Sequence, residues 1–217
     1  MNHDMDAMIR ILWAADSQWR LPVVTEIAME RRDPYRVLIS TIISLRNKDE
    51  VTAGASERLF KMADTPQDMV LLETEAIRNA IYPAVFYVRK AQTIKDLSKT
   101  LVDDFNGQVP DTLEKLLELK GVGRKTANLV LIEGFCAEGI CVDTHVHRIA
   151  NRWGYVSTLT PDQTEFALRD KLDRKYWMEI NRLLVPFGKH VCKPISPLCS
   201  ECPLHNHCMR VGVIIHR

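Results

Sequence analysis

The sequence has no excess of charge of either sign: 29 Lys+Arg stand against 28 Asp+Glu, a net charge of +1 over 217 residues, with a pI near 7.7. Bulk electrostatics therefore announce no polyanionic partner, and any surface that binds one must be local. Long apolar runs are missing too. The opening MNHDMDAMIR is mildly acidic without a basic leader, and the apolar stretch behind it is too short for a signal peptide or a membrane span. A soluble, cytoplasmic protein with no membrane partner is expected. Thiols stay reduced in that compartment, so the six cysteines are not read as three disulfides.

No stretch alternates apolar and polar residues with period two for long enough to build a sheet, and no low-complexity linker or 20–50-residue repeat interrupts the chain. Helical periodicity fills the space instead, and the fold class expected is all-α. DPYRVLISTIISLR reads as a buried helix behind an Asp-Pro start. TPQDMVLLE and TEAIRNAIY read as short helices with Thr caps. FYVRKAQTIKDLSKTLVDDF sets Ala91, Ile94, Leu97 and Leu101 on one face before NGQVPDT breaks it. LEKLLEL, KTANLVLIEGF, HVHRIANRW, TPDQTEFALRDKL and RKYWMEINRLLVPFGKHVC continue the helical pattern, with ICVDTH as a brief extended piece between them. The length suits one large domain or two small ones sharing an interface.

LELKGVGRKTANLVL raises a specific question. Gly121-Val122-Gly123 between two short helices makes a tight turn whose backbone N–H groups point outward, and the second helix adds the positive end of its dipole. A phosphate is the natural ligand of such a nest, held without reading sequence. A P-loop needs glycine immediately before its Lys-Thr pair, and Arg124 stands there instead. Turn geometry explains the glycines but not Lys125. In the first turn of a helix beside Arg124 an ammonium is disfavoured, and a partly neutral amine is a nucleophile able to form Schiff bases. Asp143, 18 residues further on in CVDTHVHR, reads first as a helix N-cap; a chain that folds back returns its carboxylate towards the hairpin, where it serves as a base.

Cys192, Cys199, Cys202 and Cys208 are spaced C-x6-C-x2-C-x5-C within one loop. Four thiolates so arranged suit a cubane cluster; zinc ribbons present two separated C-x2-C knuckles, and this loop has one. His205 and His207 keep a mixed Cys/His zinc site open as the alternative. Cys136 and Cys141 are read as small core residues.

Taken together, LISTIISLRNKD, FYVRKA, GVGRKTAN, VDTHVHR and the four-cysteine loop, in that order, resemble the endonuclease III family of DNA repair enzymes, within the helix-hairpin-helix glycosylase superfamily. The resemblance spans nearly the whole chain. It implies a two-lobed fold: a six-helix barrel over residues 26–137, and a lobe formed by residues 1–25 and 138–217 that binds [4Fe-4S] through the four cysteines, with DNA in the cleft between. It makes Lys125 the catalytic amine, Asp143 its partner, and Gly121, Val122 and Gly123 a phosphate clamp. Arg46 and Phe86 fall where the family inserts side chains into the gap left by a flipped nucleotide; their alternative reading is a surface arginine and a core phenylalanine.

The implied function is a bifunctional glycosylase and abasic-site lyase acting, as a monomer in the cytoplasm or nucleoid, on duplex DNA with oxidised pyrimidines or abasic sites. Adenine- or thymine/uracil-removing mismatch glycosylases, and a non-catalytic DNA-binding iron-sulfur protein, are the alternatives. Three departures from the family pattern stand out: Arg46-Asn47 replaces the Gln-Ala or Gln-Thr of many relatives, Lys120 replaces a usual proline, and KPISPL is poor in basic residues.

Overall fold

Asp33 accepts hydrogen bonds from the backbone N–H groups of Tyr35 and Arg36, so α3 (Pro34–Ser44) starts at the Asp-Pro step, where a capped donor and a preset φ agree. Its Val37, Leu38, Ile39 and Ile43 are fully buried, which makes α3 the central element of its unit. Around it lie α2 (Val23–Glu30), α4 (Asp49–Met62), α5 (Pro66–Leu71), α6 (Thr74–Ile81) and α7 (Tyr87–Phe105). The hairpin helices α8 (Leu113–Glu118) and α9 (Arg124–Leu129) follow, and α9 runs on through a π-helical turn, Val130–Gly134, that packs on α3.

This computed structural model describes residues 4–217, and all the described elements are helical. The chain divides into two compact units. Val23–Gly139 is one; the other joins Ile140–Arg217 to the N-terminal stretch ending at Pro22. In the second unit α1 (Met5–Asp16) and α10 (Thr144–Trp153) pack on α12 (Ile180–His190), with α11 (Pro161–Lys171) against α10. Met8, Leu12, Val146, Ile149, Trp153, Leu184 and Phe187 share one apolar core there, and Cys192, Cys202 and Cys208 pack against it.

Sequence periodicity located most of these helices because each buries one face. On α7, Ala91, Ile94, Leu97 and Leu101 are all buried as expected. Two details differ. Thr74 does not cap α6; Glu73 holds the N-cap position and makes no side-chain bond. The stretch RKYWMEINRLLVPFGKHVC is not one helix either, since a 3-10 turn at Arg174–Tyr176 precedes α12. Among the described residues no helix is long and apolar enough to cross a membrane.

α3 and α7 are joined at both ends by polar contacts. Tyr35 Oη and Ser98 Oγ share a buried hydrogen bond of 2.6 Å at one end. At the other, the buried Lys90 donates from Nζ to the carbonyls of Ile43 and Leu45, both at 2.7 Å.

Candidate functional site

Two short helices and the five residues between them, 119–123, present the hairpin. Val122 donates from its N–H to the Leu119 carbonyl at 3.0 Å and buries its side chain, while Gly121 and Gly123 on either side are exposed. The two glycines serve different purposes. Gly121 has φ +91°, and a Cβ there would lie 2.8 Å from Thr93 Cγ2, so both backbone and packing demand glycine. Gly123, the N-cap of α9, has φ −97°, and an added Cβ would meet nothing within 4 Å. The protein's own structure does not require glycine at 123; the open surface in front of it leaves room for something else.

Lys125 follows in the first turn of α9, half-buried, and no side chain caps that helix start. Thr126, Ala127 and Asn128 behind it are buried, so the lysine springs from a well-packed base. Asn128 Nδ2 donates to the Arg124 carbonyl at 3.0 Å, tying the first turn to the next.

Asp143, in the other unit, is an N-cap as its sequence suggests. Its Oδ1 accepts from the N–H groups of His145 at 2.8 Å and Val146 at 3.0 Å, satisfying two of the otherwise orphaned donors at the start of α10. The carboxylate is half-buried and oriented by this bond pair.

Arg46 and Phe86 belong to two neighbouring turns of the Val23–Gly139 unit. Both have left-handed backbones, φ +61° and +58°, and the Arg46 guanidinium carbon lies 5.7 Å from the centroid of the Phe86 ring. Arg46 is exposed. Phe86 is 59% exposed, so it is not a core phenylalanine; the turn before α7 pushes the ring out beside the exposed Tyr82, Val85 and Val88.

The four cysteines of the C-terminal loop line one cavity of about 370 Å³, counting its open mouth, together with Arg152 and Arg210. Among the described residues no three His, Cys, Asp or Glu side chains form a group that could hold a metal ion. Four cysteines lining one cavity can each take a different iron of a polynuclear cluster. His205 is engaged as well. Its Nδ1 bonds the Cys199 carbonyl at 2.8 Å and its Nε2 pairs with Arg210 Nη1 at 3.3 Å. Burial pushes the Cys202 thiol up to about 11 and raises those of Cys199 and Cys208, so thiolates here call for a strongly cationic partner such as iron.

Two arginines that sequence reading passed over hold this loop. Arg148 and Arg152 lie four residues apart on one face of α10, a spacing that is the available signal. Arg148 Nη2 donates to the carbonyls of Cys192 at 2.8 Å and Gly188 at 3.1 Å. α10 and α12 approach so closely here that a Cβ on Gly188 would fall 2.4 Å from His145 Nδ1. Arg152 bonds the first cysteine itself, 3.3 Å from its Sγ. The expectation of a core position holds for Cys141, which is fully buried. It fails for Cys136, exposed at φ +51° where Ala137 N–H turns back to the Leu131 carbonyl at 2.9 Å.

Residues 39–174 match the family of HhH-GPD superfamily base excision DNA repair proteins, and residues 192–208 match the iron-sulfur binding domain of endonuclease III. The chain is 50% identical over 176 residues to Endonuclease III of Thermotoga maritima, covering 81% of this chain and 83% of that protein. Among solved structures it is similar to a non-covalent endonuclease III–DNA complex, with a TM-score of 0.84 and 29% identity over 97% of each chain. It is also similar to a trapped endonuclease III–DNA covalent intermediate with an estranged adenine, with a TM-score of 0.78 and 33% identity over 83% of this chain and 85% of that one.

Proposed function

The chain belongs to the endonuclease III family, and from that premise we propose that this base excision repair DNA glycosylase removes oxidised pyrimidines from duplex DNA through a Schiff base on Lys125 and then nicks the strand by β-elimination. It carries a [4Fe-4S] cluster, for which Cys192, Cys199, Cys202 and Cys208 are the proposed ligands. The observation that carries the mechanism is the placing of Lys125. It stands in the first turn of α9, directly after the Gly121–Gly123 turn that would hold a phosphate of the same strand.

In this reading Lys125 Nζ attacks C1′ of the flipped nucleotide, and the electrons of the N-glycosidic bond leave with the base. The nitrogen then loses a proton and the C1′–O4′ bond breaks, O4′ leaving as a protonated hydroxyl, which gives an imine. A proton is then taken from C2′, and the C3′–O bond breaks with the 3′ phosphate as leaving group. Asp143 is assigned the carboxylate role: it accepts the amine's proton and offsets positive charge developing on the sugar. Arg46 and Phe86 fill the gap in the duplex. The cluster supplies no chemistry to these steps; when bound it stiffens the loop from Cys192 to Cys208. The enzyme is proposed to act as a monomer.

Borohydride tests this directly, because it reduces an imine to a stable amine. Wild-type protein mixed with duplex holding one thymine glycol should give a covalent protein–DNA species that survives denaturation, and Lys125→Gln should give none while still binding the duplex. Trapping by Lys125→Gln at the wild-type level would remove Lys125 from the chemistry. Base release without strand cleavage by the wild type would point instead to a glycosylase acting through water.

A further inference from the structure

Arg46 and Phe86 each occupy the left-handed region, which residues with a Cβ enter only when neighbours hold them there. The holders are identifiable. Lys90 donates from Nζ to the carbonyls of Ile43 and Leu45, the latter one residue before Arg46, each at 2.7 Å. Its backbone N–H bonds the carbonyl of Phe86 at 2.9 Å, as the first turn of α7. Lys90 therefore grips one turn with its side chain and the other with its main chain.

Asn47 does the same from the opposite side. Its Nδ2 donates to the Ile43 carbonyl at 2.6 Å, its N–H to the Ser44 carbonyl at 3.0 Å, and its Oδ1 accepts from the Val85 N–H at 2.8 Å. An alanine at 47 would make neither side-chain bond. The Ile43 carbonyl is shared by both residues.

We propose that Lys90 and Asn47 are positioning residues, a clasp that presets Arg46 and Phe86 as one wedge before DNA arrives. The inference rests on the insertion role assigned above to Arg46 and Phe86. A plain packing role accounts for it less well. Lys90 is only 7% exposed, and burial holds its ammonium down at about 8, a penalty that a neutral residue at this core position would avoid. Its three donors are what two carbonyls at the C-terminal end of α3 require and what no apolar residue supplies. Prealignment matters because a displacement of about 1 Å in a positioning group can cost about 10²-fold in rate.

The test uses the holoenzyme and a duplex with thymine glycol opposite 2-aminopurine, whose fluorescence rises when the duplex is wedged open. Stopped-flow traces are compared with single-turnover base release for Lys90→Met, Asn47→Ala, Arg46→Ala, Phe86→Ala and a control, Ile94→Val, buried on the same helix. Lys90→Met and Asn47→Ala should each slow the fluorescence step and base release together by about tenfold or more. Affinity for undamaged duplex, set by phosphate contacts, should stay within about twofold. If both variants track Ile94→Val at equal loss of thermal stability, the clasp is structural only and the proposal falls alone. If Arg46→Ala and Phe86→Ala keep the wild-type trace, the insertion role falls and the clasp with it. Should Lys90→Met not fold, Asn47→Ala, at a partly exposed position, decides the question.

Discussion

Arg152 donates from Nη1 to the Sγ of Cys192 at 3.3 Å, and the same guanidinium reaches the carbonyls of Lys193 at 2.6 Å and Pro194 at 2.7 Å. One side chain thus fixes the first cysteine and the two residues that leave it. The tail returns to the same place, with the Val211 N–H on the Arg152 carbonyl at 2.9 Å.

Arg152→Gln should therefore loosen the loop more than a surface change would. Hydrogen bonds from a charged donor contribute about 1.5–3 kcal/mol, which for a chain of this size lowers the melting temperature by several degrees. Visible absorbance should bleach faster than wild type under a chelator. Cys202→Ser should abolish the colour outright, and the unit that packs against Cys192, Cys202 and Cys208 should melt earlier. Stoichiometric zinc with no iron in the purified protein would overturn the cluster assignment.

The two hairpin glycines should separate cleanly. Gly121→Ala forces a Cβ into a left-handed position and towards Thr93, costing at least about 1–2 kcal/mol. Gly123→Ala meets nothing in the protein and should cost less than about 1 kcal/mol, the scale of a changed N-cap. It should nonetheless weaken duplex binding regardless of sequence. Unchanged affinity in Gly123→Ala by fluorescence anisotropy would rule out a phosphate at that position.

Asp143 has two jobs that substitution can divide. Asparagine caps a helix about as well as aspartate, so Asp143→Asn should keep the bonds to His145 and Val146 and the wild-type melting temperature. Base release should still fall by about 10²- to 10⁴-fold, the usual loss on removing a positioned base. Asp143→Ala should lose the same activity and about 1 kcal/mol of stability besides. Full activity in the folded asparagine variant would confine Asp143 to capping.

Lys90 predicts a pH signature. Burial lowers it to about 8 in the folded protein, against roughly 10.4 for an unfolded lysine. Between these values the unfolded chain binds more protons, so this group makes stability rise with pH from about 8 towards about 10.4 and contributes no slope outside that window. Urea midpoints at about pH 7 and pH 10, taken for wild type and Lys90→Met, isolate the term. The wild type should gain on the variant at the higher pH; a constant difference would mean that the buried amine is not held down.

Much of this molecule can be read along the chain because the governing forces are short in range. A helix face repeats every three or four residues, so Ala91, Ile94, Leu97 and Leu101 declare α7 without reference to anything else. The Asp-Pro start of α3, the hairpin glycines and the spacing of four cysteines are local in the same sense. α2 and α4 gave no comparable signal, and their placing comes from packing on α3. The tertiary structure alone decided what depends on neighbours distant in sequence. Nothing near Phe86 in the chain says that an aromatic ring will stand exposed against Arg46, forty residues away. Lys90 looks like any surface lysine until Ile43 and Leu45 turn their carbonyls towards it. Gly121 and Gly123 are alike on paper, and a left-handed backbone with Thr93 beneath it sets the first apart. Periodicity reports which face of an element avoids water; which groups then meet across the interior is set when separate elements compete for the same buried space.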